Sequence, residues 1–392
     1  MKLRLSVCAA VASLTLAAAA SAQPAGTQPE AAGPIDRDTR TVEALTAAAE
    51  AGDPHAMNVL GGRLLYAWGV EQDVEQAVGW FARSSAKGDP VGTYYLGMVY
   101  FDGWPGFPAD MDRSKALLTR AAEMGEPRAM AWLGDSLRWA TFGGEEDHVA
   151  SKRWLERAAN QGSVIGMVWL AAWYDAVEEA EDDEPEAARR WMQKALVAAS
   201  RPDARLTLDD LYALGLYYQG TNDVASMQWL KKAADRGDPW SMDTLGTTLL
   251  NLNQPAEAEK MYRKAAEQHG LPYAYWSLGQ FYTREGVEPD YGKAAAAYKR
   301  GAALENADAR VELGRLYLSG QGVDEDVDEA VRLFKAAVEQ ESGEAARELA
   351  DLYETGTGVE QDPAKARELR EKADEWAPEE EDWDEEGVGV EM

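Results

Sequence analysis

A Leu-Gly or Leu-Ala pair returns down most of the chain at a nearly fixed interval. It stands at Leu60-Gly61, Leu96-Gly97, Leu133-Gly134, Leu170-Ala171, Leu214-Gly215, Leu245-Gly246, Leu278-Gly279, Leu313-Gly314 and Leu349-Ala350. Most steps fall in the mid-thirties; one, from Ala171 to Gly215, is 44 residues. A period of this size is the mark of a helical repeat array, in which each unit buries its apolar face against the next. A small residue sits five before the pair's second member (Ala56, Gly92, Ala129, Gly166, Ser241, Ala274, Ala309, Ala345), and Leu or Tyr sits three after it. Spacings of three to five put these columns on one helical face. A glycine costs up to about 1 kcal/mol inside a helix, so its return at one column predicts a close crossing of a second helix. That second helix is framed by alanines with large residues between them, such as Trp80, Trp154, Trp191, Trp229 and Phe334.

The joint between the two helices reads Gly-Val-x-x-Asp at Gly69, Gly286, Gly322 and Gly358. Each Asp is placed to cap the next helix through its carboxylate, and Asp73 with Gln76 and Asp326 with Glu329 have capping-box spacing. Through these columns the chain resembles the Sel-one-like repeat (SLR) family, a relative of the tetratricopeptide repeat. Residues 306–341 and 342–376 carry the pattern best, 49–162 carry it well, and 163–305 more loosely. The resemblance implies an all-α α/α solenoid, a right-handed superhelix of about nine helix pairs, used mainly as a scaffold for protein complexes.

Four segments follow. Residues 1–22 read as a signal peptide: Lys2 and Arg4 begin it, an apolar run follows, and Ala20-Ser21-Ala22 is a small-x-small cleavage site. Cleavage at Ala22-Gln23 would deliver the chain to the periplasm, or outside the cell, without stable membrane insertion. Residues 23–40 read as a disordered linker, 41–376 as the solenoid, and 377–392 as an acidic disordered tail. Cys8, the only cysteine, would leave with the signal, which removes disulfides and thiol chemistry together.

Charge narrows the partners. The chain carries a net −30, from 39 bases and 69 acids. That field repels phosphate backbones and argues against nucleic acid. The expected partner is another protein, an envelope protein with a basic surface. Catalysis has weak footing. Gly134-Asp135-Ser136-Leu137 spells a lipase nucleophile motif, but Ser136 falls mid-helix, and a nucleophile needs an exposed turn beside a base. Ser84-x-x-Lys87 lacks its companion motifs. His55, His148 and His269 fall in different repeats without ligand spacing. No cofactor, metal or catalytic residue is assigned. A cell-wall or β-lactam hydrolase and an acidic binder of cations or cationic peptides stand as alternative readings. If the first helices line the inner face, as in related superhelices, the candidate partner-binding residues are Tyr94, Met98, Phe101, Arg138, Trp139, Tyr212, Trp240, Tyr273, Trp276, Gln280, Arg284 and Arg315.

Overall fold

The computed structural model describes residues 35, 38–142, 146–176, 184–284 and 287–376. The stretch read as a signal peptide, most of that read as a linker, residues 143–145, 177–183 and 285–286, and the stretch 377–392 read as a tail lie outside the described residues. Those described form nineteen α-helices and no strand, beyond one bridge between Trp104 and Phe107. They fall into two compact units.

Unit 1 holds α1 (Val42–Glu50), then the pairs α2 (Pro54–Tyr66) with α3 (Val74–Ala86), α4 (Pro90–Asp102) with α5 (Met111–Glu123), and α6 (Pro127–Arg138) with α7 (His148–Asn160). It continues through α8 (Val164–Ala176) with α9 (Glu184–Ala199), α10 (Leu208–Tyr218) with α11 (Asp223–Ala234), and α12 (Pro239–Asn251). Unit 2 holds α13 (Pro255–His269), then α14 (Pro272–Thr283) with α15 (Tyr291–Ala303), α16 (Ala307–Ser319) with α17 (Val327–Val338), and α18 (Gly343–Thr355) with α19 (Pro363–Trp376). The segment 102–110 also belongs to unit 2. Within each unit the first helices touch one another from repeat to repeat, α8 on α10 and α14 on α16, so they form a continuous row with the second helices against it. The fold is the all-α solenoid that the periodicity demands.

The repeat glycine has a specific tenant. A Cβ built at Gly314 would lie 2.6 Å from the Phe334 ring, one at Gly61 2.7 Å from Phe81, and one at Gly134 2.8 Å from Leu155. Each is the large residue of the same pair's second helix, and all three are fully buried. The glycine is therefore the hole for a knob; full burial of such a side chain stabilises by about 1.5–3 kcal/mol, which outweighs the helix penalty. Between repeats the approach is comparably close. A Cβ at Gly166 would meet that of Ala158 at 2.5 Å, and one at Gly301 would meet that of Ala309 at 2.8 Å. Two small columns thus face each other across every such junction.

The caps follow the sequence. Asp73 accepts from the Gln76 N–H at 2.9 Å, Asp290 from Lys293 at 3.0 Å, and Asp326 from Glu329 at 3.0 Å. The expected capping boxes do not close. Glu329 turns to Arg332 instead, and the Gln76 amide donates to the Asp73 carboxylate. A reciprocal box forms at Thr207 and Asp210. In the Gly-x-Gly-Val joint, Gly322 has φ +71° and presses on the Tyr291 backbone, where neither the dihedral nor the space admits a side chain.

Two features stand at the expected boundary between linker and solenoid. Ile35 is buried beside α2, and Arg63 donates to the Asp38 carbonyl at 2.7 Å. The end of the stretch assigned to the linker is thus seated on the first repeat, because Ile35 supplies an apolar anchor in an otherwise polar run. In addition, α1, capped by Thr41, covers the open face of α2 as an unpaired leading helix.

Candidate partner-binding surfaces

In unit 1 the row of first helices is closed by a polar network. The Tyr94 hydroxyl donates to Asp209 Oδ1 at 2.7 Å, and Trp132 Nε1 donates to the same oxygen at 3.2 Å. Arg128 lies 3.9 Å from Asp209 Oδ2, donates to the Tyr95 hydroxyl at 2.8 Å and pairs with Glu126 at 2.7 Å. Its guanidinium also sits over the Tyr94 and Tyr95 rings. Burial works against the Arg128 charge, but Glu126, both tyrosines and Asp209 overcome it and raise its pKa. Burial and Asp209 together push the Tyr94 hydroxyl up. Residues from α4, α6 and α10 are thereby tied across three repeats. Trp68, from the first repeat's joint, reaches the junction before α12, where a Cβ at Gly237 would stand 2.7 Å from its Nε1. Unit 1 winds back on itself.

Of the sequence-derived candidates in unit 1, Tyr94 and Met98 are buried at 1% and 8% exposure, so they serve as core. Phe101 packs against Trp132 and Phe142. Arg138 is buried, ion-paired to Asp135 at 2.9 Å and covered by the Trp139 ring. Trp139 itself is 57% exposed. Tyr212 and Trp240 are half-buried.

In unit 2 the same columns are wetter and more charged. Tyr273, Trp276 and Gln280 are half-buried and Arg284 is exposed. Gln280 donates to Glu312 at 3.0 Å. Arg315 bridges Glu312 at 3.2 Å, Glu344 at 2.7 Å and Glu348 at 2.7 Å. Burial opposes the Arg315 charge, and Glu348 and Glu344 more than restore it. These side chains form a ladder of ions along α16 and α18, joined from α14 by the Gln280 amide and open to water.

Three functional features escaped the reading of the sequence. Asp209 looks like one more acid in a helix's first turn; only the winding of the array brings it to Tyr94, 115 residues away. The ladder on Arg315 depends on a register between repeats that its spacing of 29 and 33 residues to Glu344 and Glu348 could have suggested. The turn at Trp104 to Phe107 carried a signal, Pro-Gly between two aromatics, that was legible as a turn but not as part of unit 2.

The Sel1 repeat family model matches residues 54–89, 90–126, 127–163, 179–196, 209–238, 252–269, 272–306, 307–342 and 343–373. The chain belongs to the Sel1 repeat family. Seven of the nine matched stretches each cover a helix pair, while 179–196 and 252–269 fall on α9 and α13 alone, and Sel1 repeat arrays are in general non-catalytic scaffolds for protein–protein interaction. Among solved structures it is similar to c5321, a protective antigen present in uropathogenic Escherichia coli strains and displaying an SLR fold. That match has 23% identity and a TM-score of 0.37, covering 87% of this chain and 92% of that one. A Sel1 repeat protein from Oxalobacter formigenes matches at 22% identity with a TM-score of 0.39, over 91% of this chain and 96% of that one. The human IFIT1 dimer with m7Gppp-AAAA matches at 13% identity with a TM-score of 0.47, over 85% of each chain. Among curated proteins no match was found. No helix among the described residues is long and apolar enough to cross a membrane.

Proposed function

We propose that this Sel1 repeat array is a scaffold of the cell envelope that binds another protein with a basic surface, through the first-helix face of unit 2. One observation carries the reading. In unit 1 the inner residues Tyr94 and Trp132 are spent on Asp209, whereas in unit 2 Trp276, Gln280, Arg284 and the Arg315 ladder remain at or near the surface. A half-buried tryptophan on a row of helices that also carries surface ions has the make-up of an interface anchor. The net charge of −30 supports the choice of a basic partner, since such a field speeds encounter and fades as salt rises. The charged start, apolar run and Ala20-Ser21-Ala22 site support export to the periplasm or beyond.

Nothing favours a reaction at the two serine motifs. Ser136 is 3% exposed inside α6, and Ser84 is fully buried at a helix junction against Gly92. The test is crosslinking of partners in the intact envelope, followed by mass spectrometry, with wild type beside Trp276→Ala and Arg284→Ala. The expected result is a discrete partner whose recovery falls at least about tenfold in the tryptophan variant, the loss expected of an anchor residue. Equal recovery would show the first-helix face to be the wrong surface. Sequencing of the mature N-terminus should begin at Gln23; a start at Met1 would remove the envelope assignment.

A further inference from the structure

The joint of the second repeat is unlike the others. Where four other joints carry Gly-Val-x-x-Asp, it reads Gly103-Trp104-Pro105-Gly106-Phe107-Pro108-Ala109-Asp110. Trp104 and Phe107 exchange both backbone hydrogen bonds at 2.7 Å. Pro105 and Gly106 occupy the corners, and Gly106 has φ +79°, the arrangement of a type II turn. The proline fixes one dihedral and the glycine permits the other, so the tongue is stiff. Trp104 is 2% exposed within unit 2. Beside it runs a cleft of about 620 Å³, walled by Trp104, Pro105 and Tyr273 and edged by Asp102, Glu305 and Asp308. No lysine, arginine or histidine lines it.

Two of the carboxylates are placed against local preference. Glu305 stands at φ +66°, in the junction column that Gly88, Gly125, Gly162 and Gly237 fill elsewhere. A side chain there costs of order 1 kcal/mol. Partial burial and the nearby Glu344 push the Asp308 carboxyl up from its ordinary range. Glu305 and Asp308, on a cleft lined by Trp104 and Tyr273 and by no lysine, arginine or histidine, form a site that an incoming positive charge would complete. The volume is that of a small-ligand or peptide-residue pocket. Its apolar walls suit the methylene stem of a long basic side chain, and its rim suits the charged head.

We infer that this cleft receives a lysine or arginine side chain from an extended basic segment of the protein partner. The inference rests on the scaffold reading above and names the chemistry by which the partner would be held.

The full chain is titrated at about 0.15 M salt, where charges beyond roughly 8 Å are screened, with a fluorescein-labelled peptide of alternating glycine and arginine. A second peptide carries citrulline, the neutral isostere, in place of arginine. Asp308→Asn with Glu305→Gly should weaken arginine-peptide binding by about tenfold or more, the order expected when a desolvated charge pair is lost. The melting temperature should hold or rise, because glycine relaxes the left-handed backbone at 305. Glu341→Gly is the matched control: Glu341 has φ +60° at the same column one repeat on and does not line the cleft. It removes one charge and the backbone strain, as the Glu305→Gly half of the double variant does, and binding should not change. Equal loss in the control would reduce the effect to diffuse charge and overturn the site, as would a citrulline peptide that binds as tightly as the arginine one. The two readings fail separately. Wild type that captures no protein from the envelope sinks the scaffold, whereas a captured partner indifferent to Asp308→Asn with Glu305→Gly sinks only the cleft.

Discussion

Units 1 and 2 are written in one repeat code and use its variable columns to opposite ends. In both, glycine takes a large knob and small residues meet at the junctions. In unit 1 the columns left over are aromatic, and they turn inward on a single carboxylate, Asp209, with Arg128 packed between two tyrosines. In unit 2 they are charged, and Arg315 bridges carboxylates on α16 and α18 at the surface. A solenoid's conserved-looking columns therefore fix that it stacks, while the remaining columns decide whether its inner face becomes a core or a docking surface.

The largest test of that contrast is Arg128→Ala. Removing one partner of a buried ion pair strands the others and typically costs about 3–5 kcal/mol. Arg128 leaves Glu126, which is 6% exposed, and Asp209 without their cation. Hydrogen exchange should therefore quicken across α4, α6 and α10, with α16 to α19 unaffected. Unaltered protection in α10 would mean that the network is ornament and that unit 1 is no more closed than unit 2.

A shared-code test comes next. Gly314→Leu in unit 2 and Gly134→Leu in unit 1 both drive a side chain into a filled space, against Phe334 and Leu155. Overpacking of this kind costs about 1–3 kcal/mol, and the two denaturation midpoints should fall by similar amounts. A tolerant Gly314 beside an intolerant Gly134 would show that the units differ in their core as well as in their inner columns.

What the sequence disclosed follows the same line. The period, the glycine knob-hole, the junction column and the helix caps were legible because each repeats, and each is satisfied within one unit or its neighbour. Asp209 was not, because its partners Tyr94 and Trp132 lie 115 and 77 residues away; that meeting is set by the accumulated turn of the array. Tyr94 and Met98 sit on the helical face that spacing gave them, yet they are core, since periodicity gives a direction and not what stands opposite. Trp139 and Arg138 are adjacent in sequence and part ways: the chain leaves α6 at Ala140, φ +48°, so the tryptophan caps the helix end in water while the arginine lies beneath it.

Acid titration separates the units in a third way. Burial pushes the Asp238 carboxyl in unit 1 up from 3.8 to about 6, with Asp209 adding to the rise. The folded state then binds this proton more tightly than the unfolded one. The group's contribution is most favourable below pH 3.8, declines as pH rises through about 6, and is flat above. Asp238→Asn keeps an oxygen for the Ser241 N–H, now accepted at 2.7 Å, and removes the buried charge. The variant should match wild type near pH 4 and exceed it above pH 6 by about 2 kcal/mol, within the roughly 1.4 kcal/mol that each pK unit represents. Chemical denaturation at pH 4, 5, 6 and 7.5 reads this directly. A constant difference across that range would mean that Asp238 is not the titrating group.

The smallest effect on stability, and the one that bears most on function, is expected at Arg315→Ala. Arg315 makes three ion pairs, but its side chain is 36% exposed and Glu344 is 50% exposed. Exposed pairs of this kind contribute about 0–1 kcal/mol, because water and salt already satisfy the ions. The melting temperature should scarcely move, in contrast to Arg128→Ala, although Arg315 makes three ion pairs and Arg128 two. Binding should respond the other way. Loss of the arginine frees Glu312, Glu344 and Glu348 and deepens the negative field on α16 and α18, so association with a basic partner should quicken at low salt and the gain should vanish as salt rises. Stopped-flow association at two ionic strengths separates the cases. A drop in stability as large as that of Arg128→Ala would make the ladder a second core network, and with it the contrast between a closed unit and an open one would disappear.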